Sequence, residues 1–446
     1  NGKATKAAVG FAKKYAIHLE DLQRKETSKG VYLVHEHHEP GKRTIEVLAN
    51  VVSATLRDFS FPKQMRWDAY LDDGKGEFVF ARPIRWMILL YGGQVVPFII
   101  HRNALAKGQN VQEVSAQDLT YGHRFLAAKG KAGCSIKIET FKDYKAKLAR
   151  NFVILDRADR YKSLLSALES GAARYGGAHV SDWALTQSSL LEEVPDLVEF
   201  PEVVSGDFPK EFLGLPDEVL ATTMVHHQHY FPVEGSEGLL PHFLAVTNTN
   251  LGLTEISENS ERVLIARLRD AQFFWDEDRK VSLKNRLDRL DTILFHKKLG
   301  SYKKKAERVA HLAKWIAEAW GCSEQAAFAE QAGRLCKADL ATEMVRELTK
   351  LQGKMGGIYA REEGLPEQVW KAIYYHYLPI GVEAEAPPSK TDLGLAAIPW
   401  AAVALADKLD SVVGMFLAGE RPTGSRDPLG LRRQAQGIVK ILSDMP

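Results

Sequence analysis

Residues 399–419 read PWAAVALADKLDSVVGMFLAG, an apolar stretch in which the first charged residues are Asp407 and Lys408. A proline is tolerated in the first turn of a helix, and a glycine commonly follows the last turn. The stretch therefore predicts a helix over 399–417 that is buried on most sides. A carboxylate inside such a helix needs a partner, and Lys337, Lys408 or a helix N-terminus could serve Asp407.

The apolar residues keep a helical spacing from residue 255 onward. Leu264, Leu268, Ala271 and Trp275 fall on one stripe, as expected for an amphipathic helix. Further helices are predicted over 283–295, 302–320, 326–340 and 366–377. This half of the chain predicts an all-α region over 255–446.

The earlier part of the chain has a different pattern of apolar residues. Residues 67–254 contain short runs typical of strands, near 78–80, 86–91, 95–100 and 243–247, and two helical stretches, near 141–154 and 160–175. They predict an α+β domain with a mostly antiparallel sheet. Residues 1–66 read as a mixed α/β region with a strand near 31–35 and a helix over 45–56. The predicted fold class is therefore α+β, with domains over 1–66, 67–254 and 255–446.

The composition excludes several classes of protein. The 446 residues include 59 Lys and Arg against 57 Asp and Glu, so the net charge of +2 does not mark a surface built for polyanions. Cys134, Cys322 and Cys336 show no CxxC zinc pattern and favour a reducing, cytoplasmic setting. No apolar run approaches the ~20 residues of a membrane span, and no signal-peptide pattern is present, so a membrane or secreted protein is not expected.

Common enzyme motifs are also missing from the sequence. It contains no P-loop and no GxSxG nucleophile elbow. Its histidines form two groups without the spacing of a helical zinc motif, His35, His37 and His38, and His226, His227 and His229. We interpret both groups as solvated or hydrogen-bonded side chains.

Four positions in the helical half resemble the pattern of HD-domain phosphohydrolases, in which histidines and aspartates from separate helices converge on metal ions. They are His311, Asp339, His376 and Asp407. In such a site imidazoles and carboxylates hold the cation, which acidifies a water molecule. Here Ala338 stands where the pattern has the His of its His-Asp pair, and Lys337 adds a positive charge. We interpret His311, Asp339 and Asp407 as degenerate, structural positions and predict no metal.

Positive charge is concentrated in two segments of this half. Residues 297–314 contain seven Lys and Arg against one acid, and 421–433 place four arginines around a Pro-Thr-Gly-Ser turn, whereas 182–208 have seven acids and no Lys or Arg. Basic rows can follow a phosphate backbone, although a solvated helix face or a rigid interhelix turn has the same composition. The residues predicted to bind RNA are Lys303, Lys304, Lys305, Arg308, Arg426, Arg432 and Arg433.

A series of short strings follows one order through nearly the whole chain. The strings are MRW at 65–67, FARPIRW at 80–86, GHRF at 122–125, HQ at 227–228, YF at 230–231, SERV at 260–263, ARL at 266–268, DAQFF at 270–274, KADL at 337–340, MV at 344–345, LQG at 351–353, ALADKLD at 404–410 and PTGSRDP at 422–428. Together they resemble the beta subunit of bacterial-type glycyl-tRNA synthetase. Two positions depart from the family pattern, Asn259-Ser260 in place of Gly-Asn and His229 in place of a common Lys.

The resemblance implies a non-catalytic partner in a class II synthetase of α2β2 composition. The alpha subunit holds the glycine and ATP site and uses Mg, whereas the beta subunit binds tRNA(Gly) and has no cofactor of its own. The resemblance also implies an editing-type domain, similar to that of the phenylalanyl-tRNA synthetase beta chain, followed by an HD-like helical domain. It further implies that the family's extreme N-terminus and C-terminal anticodon-binding domain are not included here.

The resulting hypothesis is a cytoplasmic subunit that positions tRNA(Gly) for ATP-dependent glycylation at the alpha-subunit active site. Two alternatives stay open at this point. One is an HD-type, metal-dependent phosphohydrolase, and the other is a stand-alone RNA-binding module that needs no alpha subunit.

Overall fold

The computed structural model describes residues 4–28, 30–37, 41–102, 113–127, 133–380, 387–423, 427 and 429–444. The chain divides into two compact units, Asn1–Tyr121 with Cys134–Lys147, and Gly122–Gly133 with Leu148–Pro446. Both contain helices and small sheets, which confirms the predicted α+β class. The domain boundaries near residues 66 and 254 stay predictions.

The first unit is built from short strands and amphipathic helices. In chain order they are α1 (Lys6–Lys14), β1 (Gln23–Thr27), β2 (Gly30–Val34), α2 (Thr44–Asp58), β3 (Ala69–Tyr70), β4 (Met87–Ile88), β5 (Leu90–Tyr91), β6 (Gln94–Val95), β7 (Ile99–Arg102), β8 (Val114–Gln117), β9 (Leu119–Tyr121), β10 (Ser135–Lys137) and α3 (Phe141–Arg150), of which residues 141–147 belong to this unit. One sheet has the order β3-β7-β8-β4, in which only the β4 and β8 pair is parallel. Antiparallel pairs join β1 to β2, β5 to β6, and β9 to β10.

The core of the first unit is formed by large apolar side chains from the strands, from the segments that connect them and from α2. Phe78 and Ile100 are fully buried in it, beside Trp67. Val52 and Leu56 of α2 pack against the same cluster. They are four residues apart and so share one face of the helix.

The second unit combines an antiparallel sheet with the helical half of the chain. In chain order its elements are α4 (Arg157–Ala173), β11 (His179–Val180), α5 (Asp182–Leu185), α6 (Leu190–Glu193), β12 (Glu202–Asp207), α7 (Asp217–Thr222), β13 (Tyr230–Gly235), β14 (Gly238–Thr247), α8 (Leu253–Asp278), α9 (Leu283–Arg286), β15 (Leu294–His296), β16 (Gly300–Ser301), α10 (Tyr302–Ala319), α11 (Ser323–Leu335), α12 (Glu343–Glu347), α13 (Lys354–Glu362), α14 (Glu367–Tyr375), α15 (Lys390–Leu393), α16 (Ala397–Ala418) and α17 (Leu431–Asp444). The main sheet has the order β11-β13-β14-β12 and is antiparallel throughout.

One continuous core runs from Val204 on the sheet to Ile441 on α17. The predicted stripe of α8, which begins at Leu264 and ends at Trp275, is buried in it. The predicted helix over 399–417 is confirmed as α16, with its first three turns almost wholly buried. No helix in the described residues is both long enough and apolar enough to cross a membrane.

The predicted helix over 283–295 is wrong in its extent. α9 ends at Arg286, a 3-10 turn follows over Leu287–Thr292, and β15 begins at Leu294. The buried Arg286 side chain donates to the backbone carbonyls of Asp278, Val281 and Ala341. These bonds fix Arg286 where three segments meet, so the chain turns there instead of continuing the helix.

Two other predicted elements differ from the structure. The helix predicted over 326–340 ends at Leu335, and residues Ala338–Ala341 form a separate 3-10 turn. The strand predicted near 78–80 is reduced to an isolated bridge between Phe80 and Met65. Both differences shorten the predicted element without changing the fold class.

Candidate nucleic-acid interface

Most of the basic segment 297–314 lies on α10, whose N-terminus is capped by Ser301. The Ser301 hydroxyl accepts from the backbone N–H of Lys304 at 3.5 Å and donates to Asp291 Oδ1 at 2.7 Å. Val309 and Ile316 bury one face of the helix. The cationic side chains therefore project from the other faces of the helix, except where a buried acid binds one of them in the core.

Lys303 and Lys304 lie on the surface at the start of α10. Lys303 Nζ donates to Asp288 Oδ1 at 2.7 Å, and this bond raises the pKa of the Lys303 ammonium. Lys304 is exposed, and within the part of the chain that the structure describes it forms no ion pair. Lys304 is thus the more available of the two for a phosphate group.

Lys305 lies in the core rather than on the surface, with 2% of its area exposed. Its Nζ donates to Ser411 Oγ at 2.8 Å, Asp410 Oδ2 at 3.1 Å and Asp407 O at 3.2 Å. It also lies 2.9 Å from Asp407 Oδ1, in an ion pair off the hydrogen-bond direction. RNA binding by Lys305 stays a prediction, but this burial leaves the ammonium without a free face for a phosphate.

Arg308 is held by the same acidic side of α16. Its guanidinium donates to both oxygens of Asp410, at 2.5 and 3.1 Å, and to Leu299 O at 3.2 Å. Such a two-pronged pair is among the stronger hydrogen-bonded arrangements. Arg308 therefore joins α10 to α16, and its predicted contact with RNA also stays a prediction.

Other cations of the segment are engaged locally as well. Lys298 Nζ donates to Ala418 O at 2.8 Å and so satisfies a carbonyl at the C-terminus of α16. Lys314 pairs with Glu330 at 3.2 Å. Most cations of this segment are thus bound by neighbouring acids or, for Lys298, by a backbone carbonyl.

The second basic segment precedes and begins α17. Asp427 accepts from the backbone N–H groups of Leu431 and Arg432, at 2.8 and 2.9 Å, and these bonds lower the pKa of its carboxyl. Arg432 and Arg433 are exposed on the first turn. Arg426, the remaining predicted RNA contact, lies outside the described residues.

A buried ionic cluster lies at the centre of the helical half. Lys337 Nζ is 2.8 Å from Asp407 Oδ2 and 2.9 Å from His376 Nε2, and it stands 3.8 Å above the centre of the Tyr377 ring. The three partners of this contact, Lys337, His376 and Asp407, are at most 5% exposed. Of the partners considered for Asp407, the structure shows Lys337, and Lys305 is its second cation.

The protonation of the cluster follows from its contacts. His376 Nδ1 faces Ile373 O at 2.6 Å, so Nδ1 carries the proton and Nε2 accepts from Lys337. Burial, then Lys337, lowers the pKa of His376 well below its ordinary value.

Burial alone would raise the pKa of Asp407, but Lys305 and Lys337 hold it well below the ordinary range. Asp407 likewise outweighs burial and raises the pKa of Lys337. The charged ammonium of Lys337 therefore lies between a neutral imidazole and a charged carboxylate.

Asp339 caps the N-terminus of α13. Its Oδ2 accepts from the backbone N–H groups of Gly353 and Gly356, at 2.5 and 3.2 Å. Its Oδ1 is buried and has no hydrogen-bond partner among the described residues. Burial raises the pKa of Asp339 to about 6, against the lowering by these two bonds and by Lys337.

The residues at the HD-like positions do not fit a metal ion. His311 is exposed on α10, whereas His376 and Asp407 meet at Lys337. A divalent cation between imidazole and carboxylate would stand beside the like charge of Lys337, and the buried methyl of Ala338 offers no ligand. Among the described residues, no three His, Cys, Asp or Glu side chains form a group that could hold a metal.

The histidine group at 226–229 lies in a strained part of the second unit. Residues Thr223–Gln228 form a π-helix, a form often found at functional sites, and His229 follows with a φ of 57°. Burial, then Lys350, lowers the pKa of the half-buried His226, whose Nδ1 lies 3.1 Å from Lys350 Nζ. His227 lines a small cleft with Arg267 and Asp270, so three of the strings quoted above meet there.

Sequence reasoning named Lys337 among the possible partners of Asp407 but missed Lys305 and Arg308 as cations that bind the acids of α16. The available signal was Asp407 and Asp410, which are three residues apart on an apolar helix and so need partners on one face. The sequence does not show which cations those are. Lys305 lies about a hundred residues earlier, inside a run that reads as a surface.

Comparison with known proteins places the whole chain in one group. The family model described as glycyl-tRNA synthetase beta subunit matches residues 1–446. Similar curated proteins, each called glycine--tRNA ligase beta subunit, come from Shouchella clausii (strain KSM-K16), 40% identical over 452 aligned positions, Syntrophus aciditrophicus (strain SB), 38% over 446, and Bacillus subtilis (strain 168), 38% over 448. Each alignment covers 100% of this chain and 59 or 60% of the relative. The chain thus spans about 60% of the length of these curated relatives.

Proposed function

Because the chain belongs to the glycyl-tRNA synthetase beta subunit family, we propose that it binds and positions tRNA(Gly) while a separate alpha subunit attaches glycine to the tRNA. The observation that carries this proposal is the match of the family model to residues 1–446. Holding the acceptor end near the reactive groups accelerates the reaction by lowering the entropy lost in the encounter.

The chemistry of aminoacylation is assigned to the alpha subunit. ATP and Mg act there, in an α2β2 assembly in the cytoplasm, and this chain contributes no catalytic residue and no cofactor. The buried cluster around Lys337 supports this division of labour. Its cation and its neutral imidazole are closed off from solvent and meet structural needs of the helical core.

The two implied domain types are part of the proposal. The helices α10, α11, α14 and α16 around Lys337 support an HD-like domain whose ligand positions are degenerate. The antiparallel sheet β11-β13-β14-β12 supports an editing-type domain. The exposed side chains of Lys304, Arg432 and Arg433 are the candidate contacts to the tRNA backbone.

Reconstitution tests the proposal. The chain, extended to the length of its relatives, is mixed with the alpha subunit, and tRNA(Gly) charging with glycine is compared with charging by alpha alone. We expect charging and a joint peak in size exclusion only with both subunits. Charging no greater than that of alpha alone overturns the proposal. Tight tRNA binding without any association with alpha supports instead a stand-alone RNA-binding module.

A further inference from the structure

The first unit contains an open cleft of about 720 Å³ with aromatic walls. Trp86, Ile88 and Leu90 line it from alternate positions of one extended segment, and Phe141 and Tyr144 line it from the start of α3. Its size lies in the range of clefts that hold small organic groups. The lining therefore combines aliphatic and aromatic side chains.

Two of the aromatic rings are unusually open to solvent. Phe141 is 74% exposed and Trp86 is 48% exposed. The Trp86 ring nevertheless has a fixed neighbour, because Tyr121 packs edge-on against it with ring centres 4.9 Å apart. The cleft thus holds a large flat ring in place while part of that ring stays available to a ligand.

Positive charge lies beside these rings. Residues 141–147 of α3 include Lys142, Lys145 and Lys147 against one acid, Asp143, which pairs with Lys147 at 2.9 Å. Lys145 comes one turn after Phe141 and so emerges on the same side of the helix, and the exposed Arg85 precedes Trp86. Exposed aromatic rings next to cations are the combination that binds unpaired nucleic acid, with bases on the rings and phosphates on the cations.

The lining also offers groups that suit a base rather than a phosphate. Glu139 lines the cleft and would repel a phosphate, but its carboxylate can accept from the amino group of a base. Gly92 and Gly93 form part of the wall, and neither has an atom within 4 Å of the position that a Cβ would take. The lining at these two positions is therefore bare backbone, with no side chain to narrow the cleft.

We propose that the cleft takes one unpaired nucleotide of the bound tRNA, with its base stacked on Phe141 and Trp86 and its phosphate near Lys145. The proposal rests on the proposed function, which supplies the RNA. It adds a stacking site in the first unit to the phosphate contacts proposed for α10 and α17 in the second. Stacking on an aromatic ring requires a base that is not paired, so single-stranded positions of the RNA are the occupants.

The test measures RNA affinity in the assembled complex of this chain with its alpha subunit. The probes are tRNA(Gly), a short unstructured oligoribonucleotide and an RNA duplex of the same length. We expect Phe141→Ala and Trp86→Ala to weaken binding of tRNA and of the unstructured oligoribonucleotide by roughly 5- to 100-fold, the range expected for losing one stacked base. We expect little change for the duplex, and the dependence of affinity on salt should keep its slope.

Two variants separate stacking from folding. Phe141 is so exposed that its truncation leaves the core intact, and Trp86→Phe keeps an aromatic face and should recover most of the affinity lost in Trp86→Ala. Trp315→Ala is the matched control, because Trp315 is 62% exposed and lies on α10 outside the cleft.

Three outcomes overturn the inference. If both alanine variants bind RNA with an affinity within twofold of the parent, the stacking site is refuted and the proposed function is not affected. Loss of alpha-subunit association with normal RNA affinity assigns the cleft to protein contact. Failure of the parent complex to bind tRNA at all refutes the proposed function, and the cleft proposal with it.

Discussion

The ammonium of Lys337 lies 2.8 Å from the carboxylate of Asp407, and both side chains are buried at the centre of the helical half. The two residues are brought together by segments 70 positions apart in sequence. Removing one member of such a buried pair leaves a charge in a medium that solvates it poorly. Substitution of either Lys337 or Asp407 is therefore expected to destabilise the helical core.

Lys337→Met is expected to destabilise the chain strongly, because Asp407 then keeps only Lys305 and His376 Nε2 loses its donor. Breaking a buried pair costs about 3–5 kcal/mol, and we expect a loss of that order in the free energy of unfolding measured in urea. Lys304→Met is the control, since Lys304 is exposed, and should stay within about 0.5 kcal/mol of the parent. Equal stability of the two variants would contradict the role assigned to Lys337.

The raised pKa of the Asp339 carboxyl leads us to expect that the free energy of unfolding depends on pH. Its pKa is about 6 in the folded chain against an ordinary value of 3.8, so between these values the folded chain binds more protons than the unfolded one. The free energy of unfolding attributable to Asp339 should therefore fall as the pH rises from about 4 to about 6, and level off above. Asp339→Asn does not titrate and keeps an oxygen for Gly353 and Gly356.

The measurement for Asp339 is the difference in unfolding free energy between the parent and Asp339→Asn at several pH values. Other titrating groups cancel in this difference. At 1.36 kcal/mol per unit, a shift of this size gives a change of the order of 3 kcal/mol over the window. A difference that does not vary with pH would show that the Asp339 carboxyl titrates normally.

Gly357 lies where α13 packs closely against α14, so we predict that a larger side chain at this position would clash. A Cβ at this position would lie 2.4 Å from Tyr374 Cβ and 2.8 Å from Trp370 O, and neither atom belongs to a flexible chain end. Gly357→Ala should therefore destabilise the helical half by about 1–3 kcal/mol despite the better helix propensity of alanine. Gly10→Ala on α1 is the control, because no atom lies within 4 Å of its Cβ position, and thermal unfolding should show no loss there.

Lys304 tests the proposed tRNA backbone contact. Lys304→Glu should weaken tRNA binding and reduce the magnitude of the salt slope by about one, since one phosphate contact is lost. Lys210→Glu makes the same change of charge on an exposed side chain just after the acidic stretch 182–208 and should have no such effect. Equal weakening by both variants would indicate a response to net charge rather than a contact at Lys304.

The local features of the fold could be predicted well from the sequence. The helix predicted over 302–320 is α10, Tyr302–Ala319, because its apolar spacing and its serine cap are signals carried by neighbouring residues. The apolar stretch of α16 likewise demanded a buried helix. Where the prediction failed, at 283–295, the buried Arg286 binds the nearby carbonyl of Asp278 and the carbonyl of Ala341, 55 residues away.

The candidate site could be predicted less well, because its charges are paired over long sequence distances. Lys305 reads as one of seven surface cations, yet Asp407, Asp410 and Ser411 draw it into the core from about a hundred residues away. His311 reads as a member of a converging set, yet it points away from the set on an exposed face. The aromatic cleft could not be predicted from the sequence for a related reason, because Trp86 and Phe141 are separated by more than fifty residues.

The cation that Lys337 places between His376 and Asp407 is part of the covalent chain. Its stoichiometry is therefore set at one per molecule when the polypeptide is made. A chelator cannot extract it, and a competing ion cannot exchange with it. The positive charge at this one position is accordingly independent of the free metal concentration around the protein.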